Sequence, residues 1–372
     1  MSYTINMLKS RNTWSILGLP FDAIDLPRSL ALTEQAIEQN TRCFISTPNL
    51  NFAIATQSDT DFFDSVVDSD LSVADGMPLI WVAKLLGVPI GERVAGSTLF
   101  DELSRRPREN KIRVYFFGGQ QGVAERAHMQ LNKTSVGMQS CGFYDPGFVP
   151  IDKMSDAVIL DEINAAKPDF IVVALGAKKG QAWIQKNREY LNAPVISHLG
   201  AVINFVAGNI QRAPERWQRF GLEWVWRIKQ EPSLWKRYFY DGLMFIKLLI
   251  MNVFPLAVYD RFLKRSGCFS ETCDIHSSQN NDGQVVLKGS FNSSTLEPVR
   301  HVFSSIINED DGAVTMDCLK LSYIDSAFIG TLMLLQSGLA KQGRHLTLIN
   351  VSKRINTLFE LNNVWKRFNI EH

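Results

Sequence analysis

Between residues 13 and 211, short apolar runs rich in β-branched and aromatic residues alternate with longer stretches whose apolar residues recur at helical spacing. "WSILGL", "CFIST", "LSVA", "VYFFGG", "FIVVALG" and "PVISHLG" read as strands that end in small or polar residues. "PRSLALTEQAIEQN", "GMPLIWVAKLLG", "QGVAERAHMQLN" and "KGQAWIQKNREYL" read as the helices between them. This alternation predicts an α/β domain with an open, mostly parallel sheet. Such sheets bind ligands beyond the carboxyl ends of their strands, so the polar residues there are the ones to inspect.

From Arg212 to Arg265 the pattern changes. Eleven Lys/Arg stand against five Asp/Glu, and "GLMFIKLLIMNVFPLAVY" (residues 242–259) is interrupted by Lys247, Asn252 and Pro255. The run is near the ~20 residues of a membrane span. Its internal lysine and the flanking "LWKRYFY" and "YDRFLKR" fit an interfacial helix on an anionic membrane surface better, and a core helix is the plainer alternative. Residues 266–282 are a polar linker without periodicity. A second α/β unit follows over residues 283–372: strand "QVVLKGSF", helix "LEPVRHVFSSIIN", strand "GAVTMDCLKL", helix "SAFIGTLMLLQSGLAKQG" and strand "HLTLINV". The expected order is therefore a core at 1–211, an appendage at 212–265, a linker at 266–282 and a small domain at 283–372.

A chain of 372 residues supports two domains. The net charge of +1 gives no global attraction to nucleic acid, and no nucleic-acid partner is expected. Five cysteines without framework spacing point to a reducing compartment. Cys268, Cys273 and His276 lack a fourth ligand, so no metal is assigned to them. The N-terminal "MSYTINMLKSRNTW" has no apolar central run and does not read as a signal peptide.

The sharpest candidate is Asp75 in "LSVADGMPLIW". It precedes a helix, where Asp is a common cap, and it also ends a strand, where a carboxylate can face substrate. "TPNLNF" brings Thr47 and Asn49 to the preceding strand's end, and "ERVAG" supplies Arg93. Asp59-x-Asp61 and Asp68-x-Asp70 could hold a divalent ion on a diphosphate, but they read better as the solvated face of an amphipathic helix. In "VYFFGGQQGVAERA", Gly118, Gly119 and Gly122 lead into a helix N-terminus that suits a phosphate, with a tight structural turn as the alternative. Gly176, ending "FIVVALG", is grouped with them. In the second unit, Asp325-Ser326 caps a long apolar helix, and phosphorylating Ser326 would add charge beside Asp325.

Together "TPNLNFA", "VADGMPLIWVAKLLGVPIGERVAG", "FFGGQQGVAERA", "KPDFIVVALGA", "FVAGNIQRAPERW" and "GLEWVWRIKQEP" resemble the WecG/TagA/CpsF family of bacterial glycosyltransferases over about Asn12 to Tyr240. The resemblance implies a Rossmann-like, metal-independent, inverting enzyme without a cofactor. It would move a sugar from a UDP-sugar to a lipid-linked (polyprenyl diphosphate) saccharide, peripherally on the cytoplasmic face of the plasma membrane. Asp75 would then be the general base, Thr47 and Asn49 would position substrate, and Arg93 would support the pocket. Arg227 and Arg237, and less closely Arg212 and Arg219, match arginines that meet the diphosphate. The chemistry is coherent: a hydroxyl nucleophile needs a proton acceptor, and a departing diphosphate needs cations or amide donors.

The chain departs from that family's pattern. Lys178, Gly180 and Gln181 stand where Pro-x-Gln-Glu is usual, and His198-Leu199-Gly200 with Asn204 where Gly-Val-Gly and a later Asp are common. Ser233-Leu234 replaces a usual arginine after "EP". The sugar is therefore open between an N-acetylmannosaminyl and a glucosyl type, in cell-surface or exopolysaccharide assembly. "DCLKLSYIDSAFIGTLMLL" with "GRHLTLINVS" resembles the STAS domain of anti-sigma factor antagonists, which implies a regulatory or docking unit with a protein partner. A rival reading is a degenerate, non-enzymatic nucleotide-sugar sensor that signals through that unit.

Overall fold

The computed structural model describes residues 11–214, 216–217, 220–269, 272–277, 284–308 and 312–371. The chain divides into two compact units. One comprises Ile24–Ile80 and Gly91–Asp241; the other comprises the N-terminal residues through Ala23, Trp81–Ile90 and the chain from Gly242 onward.

The strands in chain order are β1 (Thr13–Ile16), β2 (Leu19–Asp22), β3 (Cys43–Ser46), β4 (Leu71–Ser72), β5 (Ile112–Gly118), β6 (Met138–Tyr144), β7 (Phe170–Ala174), β8 (Val195–His198), β9 (Asp274–Ser277), β10 (Gln284–Phe291), β11 (Val314–Ile324), β12 (Leu346–Ile349) and β13 (Asn369–Glu371). The first unit carries a six-stranded parallel sheet in the order β4-β3-β8-β7-β5-β6. Its central strand β7, Phe-Ile-Val-Val-Ala, is apolar throughout because helices cover both faces. Along β5, Val114 and Phe116 enter one core with Leu99 and Val172, while Tyr115 and Phe117 enter the other with Val173 and Trp183. The parallel α/β domain expected from the alternation is present.

Two strand assignments differ from the sequence expectation. "WSILGL" does not join the parallel sheet: β1 and β2 form an antiparallel hairpin of their own. Leu17 (φ 52°) and Gly18 (φ 86°) form its two-residue turn, and positive φ at both positions matches the twist of paired strands. This hairpin belongs to the second unit, where a Cβ on Gly330 would lie 2.9 Å from the Thr13 carbonyl oxygen. The sixth strand of the parallel sheet is instead β6, "MQSCGFY". Its glycine and polar residues hide the apolar pattern, and Gly142 is required because a Cβ there would meet Tyr115 at 2.5 Å.

The second unit holds a five-stranded sheet in the order β13-β12-β11-β10-β9, parallel except for the antiparallel β9–β10 pair. β9 lies within the stretch that reads as linker. The helix Ser326–Ala340 is apolar around its whole circumference and correspondingly buried. The residues from Pro232 to Arg265 form a continuous helical segment: a 3-10 turn, Trp235–Leu248, a π-helical stretch Leu249–Val253, and Phe254–Arg265. Proline at 255 has no amide to donate back along the helix, and the π stretch ends at Val253, two residues before it. By length and composition this segment could cross a membrane.

Candidate active site

The carboxyl ends of β3 and β4 are held side by side. Beyond the short ladder, the Val73 amide donates to the Ser46 carbonyl at 3.0 Å and the Asp75 amide to the Pro48 carbonyl at 2.9 Å. Asp75 is thereby fixed beside "TPN". Asn49 caps the helix Leu50–Ala55, its side-chain oxygen accepting from the Phe52 amide at 3.2 Å. Thr47 is buried at 8% exposure against Gly96: a Cβ at Gly96 would stand 3.2 Å from Thr47 Cγ2 and 2.3 Å from Leu199 Cδ2.

Asp75 engages a helix other than the one it precedes. Its carboxylate accepts from the backbone N–H of Gly96, at the start of the helix Gly96–Arg105, where Ala95 offers no capping side chain. Arg93 Nε lies 3.4 Å from Asp75 Oδ1. The same guanidinium donates from Nη1 and Nη2 to the two Glu223 oxygens at 2.6 and 3.2 Å. Burial is the largest influence on Asp75 and pushes its pKa up to about 6. Arg93, the Gly96 amide and Arg212 oppose that rise, and Glu223 adds to it. The carboxyl is thus held near neutrality, the range in which a base accepts a proton efficiently. Glu223 had no individual signal in the sequence; it is one acid within a basic, tryptophan-rich stretch.

The arginines fall into separate groups. Arg212 donates to Asp101 at 2.9 Å, Ser97 at 3.1 Å and Thr98 at 3.0 Å. Its guanidinium and that of Arg227 lie 6.0 and 5.7 Å from the Phe205 ring centre, and Arg227 also pairs with Glu231 at 2.7 Å. A cavity of about 470 Å³ beside Arg212 is lined by Phe100, Asp101, Phe205 and Ile210 among others. Arg237 lies over Tyr238 and near Asp241, whose carboxylate accepts from Asn51 Nδ2 at 3.1 and 3.2 Å. Arg219 lies outside the described residues.

The glycines divide as well. Gly118 (φ 96°) is a packing requirement, since a Cβ there would sit 2.8 Å from the Ala174 carbonyl oxygen. Gly119 (φ 98°) donates its amide to the same carbonyl at 2.8 Å. Gly122 and Gly176 start the helices Val123–Thr134 and Ala177–Asn187 without a side-chain cap, and the space around Gly176 is open. Those amide ends can meet an anion. The acidic pairs are parts of the fold: Asp59 caps Thr60–Val67 and pairs with Lys178, Asp68 accepts from Gln185, and Asp70 accepts from the Phe44 amide at 2.6 Å.

In the second unit Asp325 caps Ser326–Ala340 through the Phe328 amide at 2.9 Å and also accepts from the Ser293 amide at 2.8 Å. Burial pushes its pKa up to about 6. Ser326 is half-buried at the first helical position. Nearby, the Tyr323 hydroxyl donates to Asp260, and Lys264 pairs with Asp260 at 2.7 Å. Cys268, Cys273 and His276 have different neighbours: Arg354, the Thr295 carbonyl and Asp274 respectively.

Comparison with known proteins places this geometry in a class. The model of the glycosyl transferase WecG/TagA/CpsF family matches residues 14–257, and a STAS domain model of the Mlab type matches residues 276–366. The chain belongs to the WecG/TagA/CpsF glycosyltransferase family and carries a C-terminal STAS domain. It is similar to the N-acetylglucosaminyldiphosphoundecaprenol N-acetyl-β-D-mannosaminyltransferase of Bacillus spizizenii, with 30% identity over 54% of this chain and 76% of that protein. Proteins of the same description from Bacillus subtilis (28%, over 55% of this chain and 78% of the relative) and Staphylococcus aureus (25%, over 60% and 85%) are also similar.

Proposed function

We propose that this protein transfers a hexosyl unit from a UDP-sugar to a polyprenyl diphosphate-linked saccharide, with inversion and without a metal, in the assembly of a cell-surface polymer. The observation that carries the reading is Asp75. Its carboxyl is raised to about 6, held between the Gly96 amide and Arg93, beside Thr47 at the carboxyl end of the sheet. Asp75 takes the proton of the acceptor hydroxyl as oxygen attacks the anomeric carbon, and the bond to UDP breaks on the opposite face. Arg212 and Arg227 supply positive charge for the diphosphate, and the open helix start at Gly176 supplies amide donors. The named activity of the similar mannosaminyltransferases supports both the lipid-linked acceptor and an N-acetylmannosaminyl donor.

The helical segment after Pro232 supports membrane attachment. Phe239, Leu243, Ile246, Ile250, Phe254, Val258 and Phe262 are each at least half exposed and recur every three or four residues, so they form one stripe. With the flanking lysines and arginines, that stripe suits the inner face of an anionic plasma membrane. The STAS domain serves as a docking or switch unit for a protein partner, with Ser326 as the modifiable position.

The test is UDP release by wild type and Asp75→Asn, with a panel of UDP-sugars and lipid-diphosphate acceptors, with and without EDTA. Turnover that survives EDTA and collapses in the variant supports the reading. Loss of activity with EDTA would refute the metal-independent mechanism. Nucleotide-sugar binding without turnover would favour a sensor.

A further inference from the structure

His198 closes β8, and the mechanism above does not use it. Its Nε2 is shielded from solvent and has no hydrogen-bond partner among the described residues. Burial pushes the imidazole pKa down to about 4, so the ring is neutral at physiological pH. Two glycines shape its space. A Cβ on Gly180 would fall 2.2 Å from His198 Cδ2, and one on Gly200 would fall 3.2 Å from Nε2.

A side chain at 180 and an imidazole at 198 therefore cannot coexist without rearrangement. This chain places a small residue on the helix at 180 and a polar ring on the strand at 198. The next helical residue, Gln181, is fully buried, donates Nε2 to Ser46 Oγ at 2.8 Å, and leaves Oε1 without a partner among the described residues. Buried polar groups without partners are costly, and the His198 and Gln181 atoms together, at one end of the sheet, point to a polar ligand.

The site is continuous with Asp75. β8 pairs with β3, which leads into Thr47, and Leu199 shares the Gly96 contact with Thr47. A neutral ring nitrogen can donate to or accept from a hydroxyl, but it offers no charge to a diphosphate. We propose that His198 is a sugar-recognition residue whose Nε2 hydrogen-bonds a hydroxyl or acetamido group of the hexosyl substrate, so that the His198–Gly180 pair selects the sugar. This inference rests on the glycosyl-transfer reading. Donor and acceptor sugars share the required chemistry, and kinetics separate them.

The experiment uses the full chain as wild type, His198→Ala, His198→Asn and the exchange His198→Gly/Gly180→Gln. Rates are measured with UDP-N-acetylmannosamine, UDP-N-acetylglucosamine and UDP-glucose on an N-acetylglucosaminyl diphospholipid, and binding of UDP and of each UDP-sugar by calorimetry. The expected result is a loss of about tenfold or more in kcat/KM for the preferred sugar in His198→Ala, with UDP affinity unchanged. His198→Asn recovers part of that loss, and the exchange reorders the donor panel. A rise confined to the donor KM assigns the contact to the donor; one confined to the acceptor KM assigns it to the acceptor. If His198→Ala lacks a cooperative thermal transition, the asparagine variant and the exchange carry the test. Unchanged rates and preferences in the folded variants would overturn the inference and leave the transferase standing. A wild type that neither binds nor turns over any UDP-sugar would remove both.

Discussion

Arg93 Nε lies 3.4 Å from Asp75 Oδ1, longer than a charge-assisted hydrogen bond, because the terminal nitrogens of the same guanidinium are turned to Glu223. The arginine is held by one carboxylate while it acts electrostatically on the other. Asp75 is therefore only partly compensated, and burial keeps its pKa at about 6. A base must be ionised to act, so kcat/KM should fall as pH drops through about 6.

The two neighbours should move that limb in opposite directions. Glu223 raises the Asp75 pKa, so Glu223→Gln should shift the acid limb to lower pH. Arg93 lowers it, so Arg93→Met should shift the limb upward and reduce the rate at pH 7. Asp75→Asn should lower kcat by about 10²–10⁴-fold across the range. Profiles of kcat/KM between pH 5 and 9 for the four proteins decide the matter. Superimposable limbs for wild type and both neighbour variants would show that another group limits the rate.

The glycines at the strand ends separate packing from ligand space. Gly118→Ala combines φ 96° with a Cβ 2.8 Å from a backbone oxygen that cannot move aside, whereas Gly176→Ala has φ 83° and open space. Left-handed backbone alone costs about 1–2 kcal/mol for a residue with a Cβ, and the backbone clash adds to it at Gly118 only. Urea denaturation should show the larger loss for Gly118→Ala. UDP binding per folded molecule should be more sensitive to Gly176→Ala. The reverse order on both measurements would argue that the phosphate sits at Gly118.

What could be read from the sequence followed from periodicity and from strand-end position. The central strands are dominated by apolar runs such as Phe170–Ala174, and Thr47, Asp75, Gly118 and Gly176 sit where an α/β sheet presents its ligand side. Three features were not readable because they depend on distant partners. Asp75 looks like the cap of its own helix but takes the Gly96 amide, a relation visible only once β3 and β4 lie together. Glu223 gains its meaning from Arg93, 130 positions away. "WSILGL" resembles a single parallel-sheet strand locally, yet the Leu17-Gly18 turn inside it folds β1 and β2 into a hairpin that packs near Gly330.

The STAS domain should carry its own pH signature. The folded pKa of Asp325 is raised above the usual carboxylate value to about 6, so its contribution to stability is greatest when it is protonated and declines as pH rises through about 6. Asp325→Ala removes the cap from Ser326–Ala340 and should cost about 1–2 kcal/mol. The deficit relative to wild type should be larger at pH 5 than at pH 8. A deficit that instead grew with pH would mean the carboxylate form is the better cap.

The exposed stripe from Phe239 to Phe262 makes the last prediction. Its residues face outward, while Leu248, Val253, Leu256, Ala257 and Leu263 on the same segment are buried. A helix with one face packed on protein and the other apolar and exposed can lie in the headgroup boundary; a spanning helix would need apolar surface around its length. Wild type should co-sediment with vesicles containing phosphatidylglycerol and much less with phosphatidylcholine alone, and binding should weaken at high salt. Ile250→Asp with Phe254→Asp should abolish sedimentation while leaving the thermal transition in place, since both side chains are at least half exposed. Cell membranes washed with alkaline carbonate should release the wild-type protein. Retention through that wash would instead show that the segment spans the bilayer, and unchanged vesicle binding by the double variant would move the attachment site elsewhere on the chain.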